Sequence, residues 1–144
     1  MARDELTLSA TIRATPAAVW RSLTERRNEW WPDMRFVAEP GAPLREEWTE
    51  RGRLRFATGV VTVTRPDRAL AFEWQQVEWE GPLRVAISLI PEADGTLLHL
   101  RETGFAAIGI GEHLLDEHRE SWGFHLANLA GHAESDAGEQ VTAD

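Results

Sequence analysis

The chain has no cysteine, no lysine and no tyrosine. Without cysteine there is no disulfide, no thiolate metal site and no cysteine nucleophile. Without lysine there is no Schiff base and no P-loop lysine, and without tyrosine no phenolic acid or nucleophile. All 15 basic residues are arginine, set against 24 acidic ones, for a formal charge of −9. Such a surface lacks the basic face a nucleic-acid partner needs and disfavours anionic membranes. No apolar run reaches the roughly 18 residues that span a bilayer. The opening MARDELTLSA has no apolar core of the kind a secretory signal carries, so the expectation is a cytoplasmic protein. Also missing are a Gly-x-Ser-x-Gly elbow and a base near Ser121, which removes the usual serine nucleophile. The partners left are a hydrophobic small molecule or another protein, and a homodimer stays open.

What is present is apolar pattern and tryptophan. A length of 144 residues with 42% hydrophobic side chains fits one domain with a real core. Residues 5–13 alternate strictly, with Leu6, Leu8, Ala10 and Ile12 on one face, as in a half-buried strand. Thr15-Pro16 reads as the N-cap and first position of a helix carrying Val19, Trp20 and Leu23, and a second helical turn runs to Trp30-Trp31 before Pro32. From Met34 to Gly104, turn signals separate repeated alternating segments: Leu44/Glu46/Trp48, Leu70/Phe72/Trp74, Leu83/Val85/Ile87/Leu89 and Leu98/Leu100. Leu54 and Phe56 are even and Val61 and Val63 odd, which predicts a bulge near Gly59. The glycine-punctuated stretch Phe105–Gly111 reads as a connector, or more sharply as a lid. A long helix then runs from about Glu112 to Glu134, its apolar stripe formed by Leu115, Trp122, Leu126 and Leu129. The acidic last ten residues, 135–144, read as a disordered tail after a single domain, 1–134.

This order of elements is α+β: an antiparallel sheet of about seven strands, two short helices after the first strand, and one long helix to cover the apolar face. One helix covers a wide sheet incompletely, so a cavity between them is expected. Five of the seven tryptophans, Trp20, Trp31, Trp48, Trp74 and Trp122, fall in interior phase, whereas Trp30 and Trp79 read as peripheral. Glu46 and Glu102 share the inward phase of their strands and Gln76 follows Trp74 in step. A buried carboxylate is costly unless partnered, so each is a candidate acceptor or general base. His118, His125 and His132 repeat at sevens on one helix. That interval separates two rings by about 10 Å, which suits no metal, and the pair His113 and Glu117 lacks a third ligand. No metal and no cofactor are expected. His118 and His132 read as the margin of the packing face, and His125 as the ring that meets Glu102 or a ligand.

The segments TPAAVWRSLT, EWWP, GVVTVTRPDRALAFEW, DGTLLHLRETGF and HRESWGFHLANL, in that order, resemble the helix-grip superfamily of START-like and Bet v 1-like (SRPBCC) proteins. Within it they are most similar to bacterial homologues of the activator of heat-shock-protein-90 ATPase, over residues 5–133. The resemblance implies a curved antiparallel sheet gripping the long helix around a hydrophobic cavity. It also implies three functions: binding of an aromatic or polyketide-like molecule, a cofactor-free cyclase or dehydratase, or a co-chaperone-like domain that stimulates an ATPase. For binding, the expected ligand residues are Trp31, Phe36, Glu46, Trp48, Phe56, Phe72, Trp74, Gln76, Glu102, Phe105, Trp122 and His125. For catalysis the candidates are Glu102 and His125, as acid and base.

Overall fold

Strand β1 (Glu5–Ile12) keeps the alternation read from its sequence, with Leu6 and Ile12 buried. In the computed structural model, which describes residues 3–109 and 111–143 (the last seven as backbone only), the chain then turns into helix α1 (Pro16–Leu23). The Thr15 hydroxyl caps this helix by accepting from the Ala18 N–H at 3.2 Å, and Pro16 sits where its missing N–H costs nothing. A 3-10 turn, Arg27–Glu29, follows. Strands β2 (Met34–Arg35), β3 (Pro43–Glu50), β4 (Arg53–Arg65), β5 (Ala69–Gln75), β6 (Leu83–Glu92) and β7 (Gly95–Thr103) form an antiparallel meander. It closes back on β1, so the order is β1-β7-β6-β5-β4-β3-β2. Because β1 and β2 lie at opposite edges, α1 and the 3-10 turn must carry the chain across the full width of the sheet. A second 3-10 turn, Phe105–Ala107, leads into helix α2 (Gly111–Ala143).

The core lies between the inner face of the sheet and α2. Leu70, Phe72 and Trp74 of β5, Leu83, Val85, Ile87 and Leu89 of β6, and Leu98 and Leu100 of β7 are all buried there. From α2 they meet Leu115, Trp122, Leu126, Leu129 and Ala133, spaced as one helical face. Helix α2 packs on β1 and on α1. The β3–β5 side of the inner face is left with less cover.

Three expectations change. In β4 the inward phase is odd, through Ala57 and Val61, so Leu54 and Phe56 stand on the outer face, 61% and 37% exposed. The register shift falls between Val61 and Val63, not at Gly59. Gly59 is needed for another reason: a Cβ there would meet the Glu73 carbonyl oxygen at 1.8 Å, so β4 and β5 approach too closely for a side chain. The stretch from Phe105 is anchored and does not hang as a lid. Phe105 and Ile108 are buried, and the Gly104 and Phe105 N–H groups donate to the Asp4 carbonyl at 3.0 and 3.1 Å. Ile110 of that stretch lies outside the described residues. Finally, α2 continues past Glu134 to Ala143. Buried Asp136 holds this extension by pairing with Arg26, and with Arg21 at 3.5 Å, which ties the end of α2 to α1 and the turn after it.

Candidate functional site

Alternation along β7 puts Thr96, Leu98, Leu100 and Glu102 on one face, so a carboxylate enters the core in an aliphatic row. Its neighbours across the ladders are Leu6 and Val85, which offer it nothing polar. Glu102 is wholly buried, and its partners come from other elements. The Trp74 indole donates to one oxygen at 2.7 Å; the Trp122 indole donates to the other at 2.9 Å, and His118 Nδ1 meets that same oxygen at 2.8 Å. Indole N–H groups only donate, so both oxygens are acceptors and the histidine is best written donating through Nδ1. Three charge-assisted hydrogen bonds meet the cost of desolvating the carboxylate. They also lock two large rings and one imidazole in place. His118 Nε2 has no protein partner among the described residues and is not sealed from solvent.

Above these rings lies a cavity of about 480 Å³, within the usual range for drug-sized guests. Trp48 of β3, Trp74 of β5, Trp79 of the following loop, and Leu114, His118, Trp122 and His125 of α2 form its walls. The rings brace one another. Trp74 and Trp122 centroids are 5.7 Å apart, Trp31 meets Trp122 edge-on at 5.6 Å, and Trp31 stacks on His125 at 4.0 Å. At the rim Arg55 pairs with Glu78 and Glu50, and His113 with Glu117. Glu46 lines the cavity and accepts from the Trp31 indole at 2.9 Å. Burial pushes the Glu46 carboxyl up to about 7, opposed by the Trp31 hydrogen bond and the charge of His118 and helped by the charge of Asp33. Burial likewise lowers the His125 imidazole to about 4, so that ring is neutral at pH 7. Among the described residues no three His, Asp or Glu side chains form a metal-binding group.

Of the twelve residues expected at a ligand, the structure brings Glu46, Trp48, Trp74, Gln76, Trp122 and His125 to the cavity, with Trp31 directly behind and Glu102 beneath. It takes four elsewhere. Phe56 lies on the outer face under the Arg45 guanidinium, 4.3 Å away, because β4 has the opposite phase. Phe36 packs half-buried on Arg27 and Phe72, and Phe72 stands in the core, edge-on behind Trp74 at 5.4 Å. Phe105 is buried edge-on against His118 at 5.6 Å. The partner of Glu102 is also corrected: it is His118, not His125, because His118 lies one helical turn before Trp122 and both meet the same Glu102 oxygen. Trp79, read as peripheral, is buried 6% exposed in the cavity wall. The signal for His118 was available, since it lies four residues before Trp122 on the same helical face. For Trp79, in an acidic loop, there was none.

A meandering antiparallel sheet, one long C-terminal helix packed on it and a tryptophan-walled cavity between the two define a protein of the helix-grip class. The family model described as "Activator of Hsp90 ATPase homolog 1-like protein" matches residues 13–134, and the chain belongs to that family. Solved structures agree on the fold. Protein MLL2253 from Mesorhizobium loti superposes with a TM-score of 0.75 at 19% identity, over 91% of this chain and 97% of that one. CalU16 from Micromonospora echinospora gives 0.70 at 22%, over 96% and 86%. DynU16, a protein of the dynemicin biosynthetic locus, gives 0.76 at 20%, over 94% of this chain and 49% of that one. No curated protein matches the chain. No helix among the described residues is long and apolar enough to cross a membrane.

Replacing Glu102 by glutamine keeps the shape but puts an amide NH₂ against an N–H donor. The Glu102→Gln variant is expected to lose about 1–3 kcal/mol in urea denaturation, with tryptophan emission shifted to the red; an unchanged midpoint would show that the carboxylate carries no such load.

Glu46 and His125 contribute to stability with opposite signs. The Glu46 carboxyl rises on folding from 4.5 to about 7, so the native state holds a proton the unfolded chain has released. That contribution is complete below 4.5 and is lost as the pH climbs to about 7. The His125 imidazole falls from 6.5 to about 4, so its contribution is complete above 6.5 and is lost as the pH drops towards 4. Relative to the parent, Glu46→Gln should therefore gain stability between pH 5 and 8, and His125→Gln between pH 7 and 4. Each gain should be on the order of 1–2 kcal/mol, allowing for partial solvent screening. Denaturant midpoints across that range measure both, and profiles parallel to the parent would refute the assignment.

Proposed function

We propose that this protein binds a hydrophobic small molecule with an aromatic body, polyketide-like in size and shape, in the cavity between the sheet and α2. The observation that carries this reading is the wall: Trp48, Trp74, Trp79 and Trp122 around about 480 Å³. Flat, rigid rings give contact area to a flat guest at little cost in side-chain entropy. Three of the four are fixed before any guest arrives, Trp74 and Trp122 by Glu102 and Trp79 by burial. A preorganised wall converts contact into affinity more efficiently than one that must order on binding. The structural likeness to a protein of the dynemicin biosynthetic locus is in keeping with a natural-product guest.

A cofactor-free cyclase or dehydratase is the second reading, and one observation favours it with changed residues. Glu102 fixes His118 through Nδ1 and leaves Nε2 free at the cavity, the arrangement of a base held by a carboxylate. His125, stacked on Trp31, would shape the substrate's surroundings instead of acting with Glu102.

Native mass spectrometry of freshly purified protein should reveal a co-purified guest, and titration with polyketides or flavonoids should quench the tryptophan emission. Trp48, half-buried at the wall, is the ring to remove: Trp48→Ala is expected to weaken an aromatic guest by about tenfold. Flat responses to polyketides, flavonoids and lipids alike would contradict the proposal.

A further inference from the structure

Carboxylates outnumber cations in the lining of the cavity, and one of them stands apart from every ion pair. Four carboxylates reach the cavity: Glu46, Glu50, Glu78 and Glu117. Arg55, the one arginine in the lining, is already engaged by Glu78 and by Glu50 at 3.8 Å. Glu117 meets His113 at 2.8 Å. Glu46 alone makes no contact with an arginine or histidine within ion-pair distance among the described residues; His118 acts on it only at longer range. One of its oxygens accepts from the Trp31 indole; the other accepts from no described group, yet it is not sealed from solvent. That oxygen is open to the cavity that Glu46 lines. A half-buried carboxylate beside a ring-lined wall costs stability unless something compensates it. In Glu102 the protein provides the compensation internally; in Glu46 it does not.

Resting on the cavity-binding reading above, we propose that the guest carries a protonated amine beside its aromatic body, and that Glu46 is the counter-charge that selects it. The surroundings suit a cation. Trp48, Trp74 and Trp122 line the cavity, and the π quadrupole of an indole attracts positive charge. His125 is held neutral by burial and does not compete for Glu46. An anionic guest would meet Glu46 and three further carboxylates in the lining, and a neutral one would leave Glu46 as it stands. Amine binding would hold Glu46 ionised and release the proton it carries near neutral pH.

Three naphthalene probes of matched size separate the outcomes in calorimetric titration at pH 8: 2-(1-naphthyl)ethylamine, 2-(1-naphthyl)ethanol and 1-naphthylacetate. The amine is expected to bind at least about tenfold more tightly than the alcohol, and the acetate most weakly. Glu46→Gln should erase the gap between amine and alcohol while the alcohol still binds. A second readout needs no variant. Between pH 6 and 8 the amine's affinity should rise about tenfold as Glu46 ionises, while the alcohol's stays level. The other charged or titratable groups around Glu46 are Asp33 before β2, Arg55 on β4, and His118 and His125 on α2. Equal affinities for amine and alcohol in the parent, or a gap that survives Glu46→Gln, would overturn the amine assignment and leave the aromatic cavity standing. If none of the three probes binds, the cavity reading falls with it.

Discussion

A carboxylate stands in the one row of this sheet where an aliphatic side chain would be expected, and the site is built around satisfying it. Glu102 is fully buried between Leu6 and Val85, and it is held there by N–H groups from Trp74, Trp122 and His118. Trp74 belongs to the sheet, whereas Trp122 and His118 belong to α2. The hydrogen bonds therefore pin the helix to the sheet at a defined height and rotation, which dispersion between aliphatic side chains does less specifically. An aliphatic residue at this position would pack as well but would leave two indole N–H groups and an imidazole to find partners elsewhere. The polar cluster is tolerable because each of its donors is matched.

The cavity follows from that pinning. Helix α2 is drawn onto β1, at one edge of the sheet, and a single helix held there leaves β3–β5 partly uncovered. The uncovered surface is lined with rings that brace one another, so it stays open as a rigid depression instead of collapsing. The two carboxylates nearest the rings, Glu102 wholly buried and Glu46 half-buried, then divide the labour. Glu102 is satisfied by the protein and serves the architecture. Glu46, with one indole partner and one open oxygen, is left for whatever enters.

Much of this was legible in the sequence, for reasons tied to period. Strands that alternate cleanly, such as β1, β5 and β7, declared their buried faces, and with them Trp74 and Glu102. Strand β4 misled because Leu54 and Phe56 are apolar on the solvent face, and apolar surface residues are common enough to imitate a core phase. Phe56 is accounted for by the Arg45 guanidinium above it, a contact no periodicity announces. His118 and His125 are seven apart and share a helical stripe to within about 20°, so spacing alone could not say which faces Glu102. That depends on how α2 lies against the sheet, which is a property of the assembled fold. The extension of α2 past Glu134 was hidden similarly, since it depends on Asp136 meeting Arg26 and Arg21 from a distant part of the chain.

Helix and sheet are joined by the indoles of Trp74 and Trp122 bound to one buried carboxylate, and the exchange of indole N–H protons reads this directly. In a two-dimensional ¹⁵N NMR spectrum the seven tryptophans give seven indole signals. After transfer to D₂O, those of Trp74 and Trp122 should persist long after that of Trp48, whose indole N–H has no hydrogen-bond partner among the described residues. If the Trp74 and Trp122 signals vanish as fast as that of Trp48, the carboxylate does not hold helix to sheet and the account fails at its base.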